Sequence, residues 1–351
     1  MKNVLYIDPL SQYGHINFNR IYIKELLNQE CKLDYIFKEG YEKQLGIRSN
    51  VLSLPKELYL EGNSVLSRYY DVLKLRYIKR NIDLTKYDFI VLSSYDEIAL
   101  YFSCIKSRLV LINHNNLQGL NNLIKLFFYR SVSKINIQIV FENYMKEYLH
   151  SLGIKNVARI CHGFPQRIDA DNTIINDVII INLKSVYLDD LKKVVFVPSV
   201  SNLDREFFQE LILDESFLAY LENEECHLII KTKLRLSCKS DNVKLIDYVL
   251  PDSVYNSLFA RSDLIIIKYP ASFKFRVSAV FLECVSSNKT CLIYETETFR
   301  NYKNVINYGA FFTSKQELRD KIMVNLNLNM LRKYSLSMNI DSDFAAFFGR
   351  Y

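Results

Sequence analysis

Tryptophan is absent from these 351 residues, and glycine occurs only nine times. Neither a Gly-x-Gly-x-x-Gly turn nor a Gly-x-x-x-x-Gly-Lys-Ser/Thr loop is present. The usual backbone cradles for a dinucleotide or for ATP phosphates are therefore missing. The seven cysteines are odd in number, irregularly spaced and never in a Cys-x-x-Cys pair. That pattern excludes a disulfide framework or a zinc ribbon and reads as reduced thiols in a cytoplasm. No run approaches the ~18 apolar residues of a membrane-spanning helix. The opening segment Met1–Pro9 lacks the longer apolar stretch and small-residue cleavage site of a secretory signal. The expected location is thus cytoplasmic, either free or peripheral on the inner face of the plasma membrane. No Asp-x-Asp stands at a strand end; Asp341-Ser342-Asp343 lies in the C-terminal tail. Neither a divalent metal nor a cofactor is expected. A net charge of +6 is too small for an obvious nucleic-acid-binding domain. It suits attraction to anionic ligands or to an anionic membrane face.

What is present is a globular α/β chain. It is 49% hydrophobic and 24% charged, and its length suits two domains rather than one core. The first half alternates apolar strands with amphipathic helices: strands at Val4–Ile7, Lys32–Phe37, Phe89–Ser94, Leu109–His114, Gln138–Glu142 and Val157–Ile160, and helices at Ile16–Asn28, about 96–103 and Asn143–Leu152. The polar stretch Arg167–Asp190 reads as a connector. Strands then resume at Val194–Ser199, His227–Lys231, Asn242–Tyr248, Asp263–Pro270 and Thr290–Tyr294. The expected boundaries are an N-terminal domain over 1–168, a linker over 169–193, a C-terminal domain over 194–330 and a final segment over 331–351. Strand–helix alternation of this kind is the grammar of parallel sheets, which bind ligands at the carboxyl ends of their strands.

That rule selects the candidate residues. His15, His114 and His162 each follow a strand and can converge on one sheet edge, with Gly14 and Asn115 beside them. The alternative for each histidine is a polar loop residue bonded to backbone. In the second half, the basic loop Ala271–Ser278 opens into a helix carrying Glu283. Lys274, Arg276 and Ser278 in this loop, with Lys231, are candidates to face an anion; a solvated basic loop is the alternative. Ser199 begins a loop, with Ser201 and Asn202, that can offer hydroxyls and amides to a phosphate or simply cap a helix. Two further segments, Arg68–Arg80 and Asn122–Lys134, are basic and aromatic. Each is either an ordinary amphipathic helix or a patch that rests on an anionic bilayer.

Four places resemble the GT-B-fold glycosyltransferases, in the large retaining group of bacterial polysaccharide and lipopolysaccharide enzymes. They are Gly14-His15, Ile112-Asn-His114, Ile160-Cys-His-Gly163 and the run from Val243 through Leu264 to Phe299. The resemblance implies two Rossmann-like domains facing a cleft, with Leu331–Tyr351 crossing back to the first. It implies a nucleotide-sugar donor held by the second domain and a glycan or lipid-linked acceptor on the first. Glu283 matches the second glutamate of the family's Glu-x7-Glu motif, which binds the nucleotide ribose. Phe275 occupies the first glutamate's place, the one that touches the transferred sugar. His114 matches the strand-end histidine near the reacting sugar, and His15 joins it as a catalytic candidate. Lys274, Arg276 and Ser278 would neutralise the leaving diphosphate, with Lys231 and Ser199 completing the donor site and Gly14, Asn115 and His162 lining the acceptor side. The implied activity is glycosyl transfer in surface polysaccharide synthesis. The departure at Phe275 also admits a non-catalytic binding or scaffold protein, and the layout is shared with hydrolysing nucleotide-sugar epimerases.

Overall fold

The computed structural model describes residues 1–11, 15–47, 51–60, 65–163, 178–181, 184–187, 192–247, 249–302, 310–328 and 340–351. Gly14, 331–339 and much of the expected linker lie outside them. The chain divides into two compact units: Met1–Gly163 with Phe275–Val277 and Met338–Tyr351, and Phe164–Lys274 with Ser278–Ser337.

In chain order the first unit contains β1 (Asn3–Ile7), α1 (Ile16–Asn28), β2 (Lys32–Lys38), α2 (Tyr41–Leu45), β3 (Leu52–Leu54), α3 (Val65–Asn81), β4 (Phe89–Leu92), α4 (Glu97–Ser103), β5 (Leu109–Ile112), α5 (Leu123–Ser133), β6 (Ile137–Val140), α6 (Asn143–Ser151) and β7 (Val157–Arg159). The seven strands are all parallel, in the order β3-β2-β1-β4-β5-β6-β7. Both sheet faces are covered, so β4, β5 and β6 are buried at every position. Alternation assigns Val4, Tyr6 and Ile112 to one core, and Leu5, Ile7 and Leu111 to the other.

The second unit begins with an antiparallel pair, β8 (Val178–Ile181) and β9 (Lys184–Tyr187), within the stretch that the sequence marks as a connector. It continues through β10 (Lys193–Val197), α7 (Arg205–Leu211), α8 (Glu215–Asn223), β11 (Cys226–Thr232), β12 (Val243–Asp247), α9 (Asp252–Arg261), β13 (Leu264–Ile267), α10 (Ala279–Ser286), β14 (Cys291–Tyr294), α11 (Glu297–Arg300), β15 (Phe311–Phe312) and α12 (Lys315–Leu328). Its parallel sheet runs β12-β11-β10-β13-β14-β15. Each sheet therefore has strand order 3-2-1-4-5-6 at its centre, the Rossmann-like winding, and each reverses once.

The last helix, α13 (Ile340–Arg350), belongs to the first unit. Phe344 and Phe347 are buried in that unit's core. Asp343 pairs with Arg159 at 3.2 Å and accepts the Cys161 amide at 2.9 Å, which is the role of this tail carboxylate. Where α1 and α13 approach the end of β7, Gly163 has φ +78°; a Cβ there would meet Ile21 Cγ2 at 2.7 Å and Ile340 Cδ1 at 3.1 Å. Only glycine satisfies both the backbone and the space.

Candidate functional site

The strand order of the first sheet reverses between β1 and β4, so the loops after these strands part and leave a crevice. A cavity of about 540 Å³ lies in this unit, lined by His15, Ser94, Asp96, His114, Asn115 and Lys125 among others. Asp8, fully buried, directly follows β1. Its carboxylate accepts the Ser11 amide at 2.9 Å, the Asn19 side-chain amide at 2.8 Å and the Ser94 hydroxyl. Asp8 thereby ties the two loops to α1. The loop after β5, which carries His114 and Asn115, is held by a buried amide network. Tyr95 and Tyr129 hydroxyls donate to Asn113 Oδ1 at 2.8 and 2.9 Å, and Asn113 Nδ2 donates to Gln138 Oε1 at 3.0 Å. Asn116 Nδ2 donates to the Tyr95 carbonyl at 2.9 Å. A satisfied network of this kind fixes one loop conformation.

His15 and His114 stack, ring centroids 4.4 Å apart and planes 23° apart. Phe18 meets His114 edge-on at 4.4 Å. Burial depresses the His15 pKa, against the opposing pull of Asp8, whose Oδ2 is 3.9 Å from Nδ1. Burial, with His15 and His162 as like-charged neighbours, depresses His114 well below the usual imidazole value. Both rings are therefore neutral near pH 7. His114 Nε2 is shielded from solvent and has no hydrogen-bond partner among the described residues. His162 is different. It is buried against Phe18 and Phe141, outside the cavity lining, and burial lowers its pKa to about 4. Its structural setting is an aromatic core, not the cavity.

In the second unit, Glu283 sits in the middle of α10 and is buried. The Tyr255 hydroxyl donates to its Oε2 at 2.7 Å. Lys231, near the end of β11, lies 5.5 Å above the Tyr255 ring. Burial raises the Glu283 pKa to about 7, with the Tyr255 bond and the Lys231 charge pulling the other way. Beyond Lys231, a cavity of about 570 Å³ opens at the carboxyl ends of β11 and β12, lined by Thr232, Leu234, Leu236, Ile246 and Asp247 among others. At the point where this sheet reverses, the loop after β10 is bound to the end of β13 by a buried ion pair, Lys268 Nζ to Asp204 Oδ1 at 2.5 Å. The Lys268 ammonium also lies 4.0 Å from the Tyr294 ring centroid. Lys268→Ala would strand the Asp204 charge in the interior and is expected to destabilise this unit by about 3–5 kcal/mol. A urea unfolding series in which the variant loses less than about 1 kcal/mol would show the pair to be dispensable.

The residues singled out in the sequence fall into separate settings. His15, His114 and Asn115 share one cavity; Lys231 and Glu283 share one cluster. Ser278 is committed as the N-cap of α10, accepting the Phe281 amide at 3.0 Å, with the Tyr269 hydroxyl also 3.0 Å away. Lys274 is exposed and pairs with Glu297 at 3.0 Å. Arg276 belongs to the short segment Phe275–Val277 that groups with the first unit, whereas Glu283 belongs to the second. Phe275 stacks on Tyr148, centroids 4.2 Å apart, so the ring in the first glutamate's place is a packing residue. Ser199 follows β10 and is only partly buried. The same strand-end rule that chose the histidines also points to Asp8 after β1 and to Ser94 and Asp96 after β4, and a search confined to histidine passes over them. Tyr255 carries no sequence signal, because its role depends on α9 lying beside α10.

No family model matches the chain, and no curated protein does. Solved structures do. The UDP-GlcNAc 2-epimerase from Neisseria meningitidis bound to UDP-GlcNAc has a TM-score of 0.67 at 13% identity, covering 100% of both chains. The UDP-GlcNAc 2-epimerase from Methanocaldococcus jannaschii has a TM-score of 0.65 at 11% identity, again covering 100% of both. Anabaena HepE in complex with UDP and glucose has a TM-score of 0.62 at 14% identity, covering 100% of this chain and 95% of that one. The chain thus has the GT-B fold, built of two Rossmann-like domains.

Proposed function

We propose that the chain is a nucleotide-sugar enzyme that breaks the bond between a sugar's anomeric carbon and a nucleoside diphosphate. The observation that carries this reading is Glu283. A buried carboxyl with pKa about 7 is held by one tyrosine hydroxyl and retains acceptor capacity. The paired ribose hydroxyls of a nucleotide would supply the missing donors. The cavity at the ends of β11 and β12 has room for the base, with Lys233 and Arg235 in its lining, and Lys231 offers positive charge beside Glu283. Glu283, Lys231 and this cavity form the nucleotide site; the His15–His114 cavity takes the polyhydroxylated partner.

Two reactions fit. By likeness alone, epimerisation ranks first, because UDP-GlcNAc 2-epimerases recur among the similar structures. The side chains favour glycosyl transfer to a glycan or lipid-linked glycan. Inverting a carbon by proton exchange needs a base on one face and an acid on the other. In the first unit's cavity, Asp96 caps α4 through the Ile98 and Ala99 amides and pairs with Arg68 at 3.2 Å. Glu97 accepts from Asn116 at 3.2 Å and lies 3.6 Å from Lys125. Both carboxylates are committed, and the two imidazoles stack on each other at 4.4 Å, too close together to flank a sugar ring from opposite faces. Transfer needs only that hydroxyls be oriented and that cations and helix-end amides steady the leaving diphosphate, without a metal.

Incubating the protein with UDP-GlcNAc in D2O separates the readings by proton NMR. Transfer is expected to leave the C2 hydrogen unexchanged and to release UDP only when an acceptor is added. Deuterium at C2, in a second UDP-sugar or in a free epimeric sugar released with UDP when no acceptor is present, would establish the epimerase instead. Failure of calorimetry to detect binding across a panel of nucleoside diphosphates and nucleotide sugars would refute both and leave a scaffold.

A further inference from the structure

Helices α3, α4 and α5 lie side by side on the first sheet. Their outward surface is apolar where a surface is ordinarily polar. On α5, Leu123 is 80% exposed, Ile124 68% and Phe127 57%. Tyr101 and Phe102 on α4, with Leu66 and Tyr69 on α3, are exposed too. Tyr101, Phe102, Phe127 and Phe128 form one ring cluster, with centroids 5.2–6.3 Å apart. The charge around this surface is mainly positive. Arg76, Lys79, Arg80 and Arg130 are exposed on α3 and α5, while Arg68 on α3 pairs with Asp96 at 3.2 Å. Arg76 and Lys79 donate to the Phe102 and Cys104 carbonyls, bonds that leave their charge uncompensated. The acidic residues within these helices are already paired, Asp71 with Lys74 at 2.7 Å and Glu97 with Lys125 at 3.6 Å, and α5 contains none.

We propose that this face docks on an anionic lipid bilayer, with Leu123, Ile124 and Phe127 entering the headgroup–acyl boundary and Arg76, Lys79, Arg80 and Arg130 contacting lipid phosphates. Exposed aromatics and leucines ringed by cations are the composition of an interfacial surface, and each cation near an anionic leaflet adds to the attraction. A second copy fits poorly, because a two-fold contact would bring the same cations face to face. The surface is continuous with the first unit's cavity: Arg68, Ile98, Ile124 and Lys125 line it. Docking on α5 would therefore open that cavity at the lipid surface. Among the described residues no helix is long and apolar enough to cross a membrane.

Flotation of the full chain with phosphatidylcholine vesicles, with and without phosphatidylglycerol, tests this. The protein should float with the anionic vesicles only, and salt at about 0.5 M should release it, because it shortens the screening length to a few ångströms. Leu123→Glu combined with Phe127→Glu should weaken vesicle binding roughly tenfold or more. Both side chains are already exposed, so circular dichroism and the urea midpoint should remain those of the parent. Arg76→Gln with Arg80→Gln should act in the same direction through charge alone. Absence of flotation, equal flotation with neutral vesicles, or unchanged binding in both variants would overturn the proposal. Concentration-dependent dimerisation that the Leu123/Phe127 variant abolishes, without vesicle binding, would assign the face to a second copy instead.

Discussion

Replacing Glu283 with glutamine is expected to stabilise the unliganded protein at pH 8 while weakening its hold on a nucleotide sugar. The native carboxyl titrates at about 7, against 4.5 for an unperturbed glutamate, because burial penalises its charge. Between those two values the folded chain keeps a proton that the unfolded chain has lost. The stability contributed by the neutral carboxyl is therefore complete below about pH 4.5 and is lost as pH rises through 7. At pH 8 the folded state carries a buried charge costing on the order of 3 kcal/mol. Glutamine never carries that charge and can still accept from the Tyr255 hydroxyl. The Tm difference should accordingly be large at pH 8 and vanish near pH 4.5. Binding moves the other way. Loss of a charged acceptor for ribose hydroxyls should cost about 1–3 kcal/mol, roughly 5- to 150-fold in Kd. Parent affinity for a UDP-sugar should rise between pH 6 and 8 as Glu283 ionises, and the variant should show no such rise. Calorimetry at three pH values checks both. Equal Tm at pH 8 would remove the buried charge from the account, and equal affinity would place the nucleotide elsewhere.

How far the sequence carries can be read from these same residues. Strands buried on both faces are continuous apolar runs, so β1, β4, β5, β10, β13 and β14 stand out without a structure, and with them the alternation that makes two parallel sheets. The strand-end rule then places His15, His114 and Lys231 at the correct edges. What it does not provide is side-chain commitment. Ser278 reads as a phosphate ligand until its hydroxyl is found capping α10. Arg276 reads as a neighbour of Glu283 because only six residues separate them, yet the chain assigns the two to different units. His162 satisfies the same rule as His114, but it is enclosed by Phe18 and Phe141, and no local pattern encodes that enclosure. The short strand β3 is equally silent: three residues, paired only at the sheet edge, carry too little periodicity to register.

The sharpest test of the chemistry is His114. Its pKa is held well below the usual imidazole value by burial and by the two neighbouring imidazoles, so near neutral pH the ring can orient or accept from a substrate hydroxyl. It cannot serve as a standing imidazolium acid. Turnover at saturating donor should therefore show no histidine inflection between pH 6 and 8, while kcat/KM for the donor falls below pH 7 as Glu283 protonates. His114→Ala is expected to reduce turnover by about 10²–10³-fold, the scale for losing a positioned proton-transfer or orienting group, with the donor Kd nearly unchanged. The ring also packs against His15, Phe18 and Phe141, and truncation would leave a hole costing about 2–4 kcal/mol. His114→Phe separates the two effects, because it fills the space without the nitrogens. The phenylalanine variant should unfold near the parent's urea midpoint and still lose turnover to the same extent. EDTA should leave the parent rate intact, since cations of the chain itself are to steady the leaving phosphate. A phenylalanine variant within about threefold of parent turnover would exclude the imidazole from the reaction. An EDTA-abolished rate restored by magnesium or manganese would replace the metal-free mechanism.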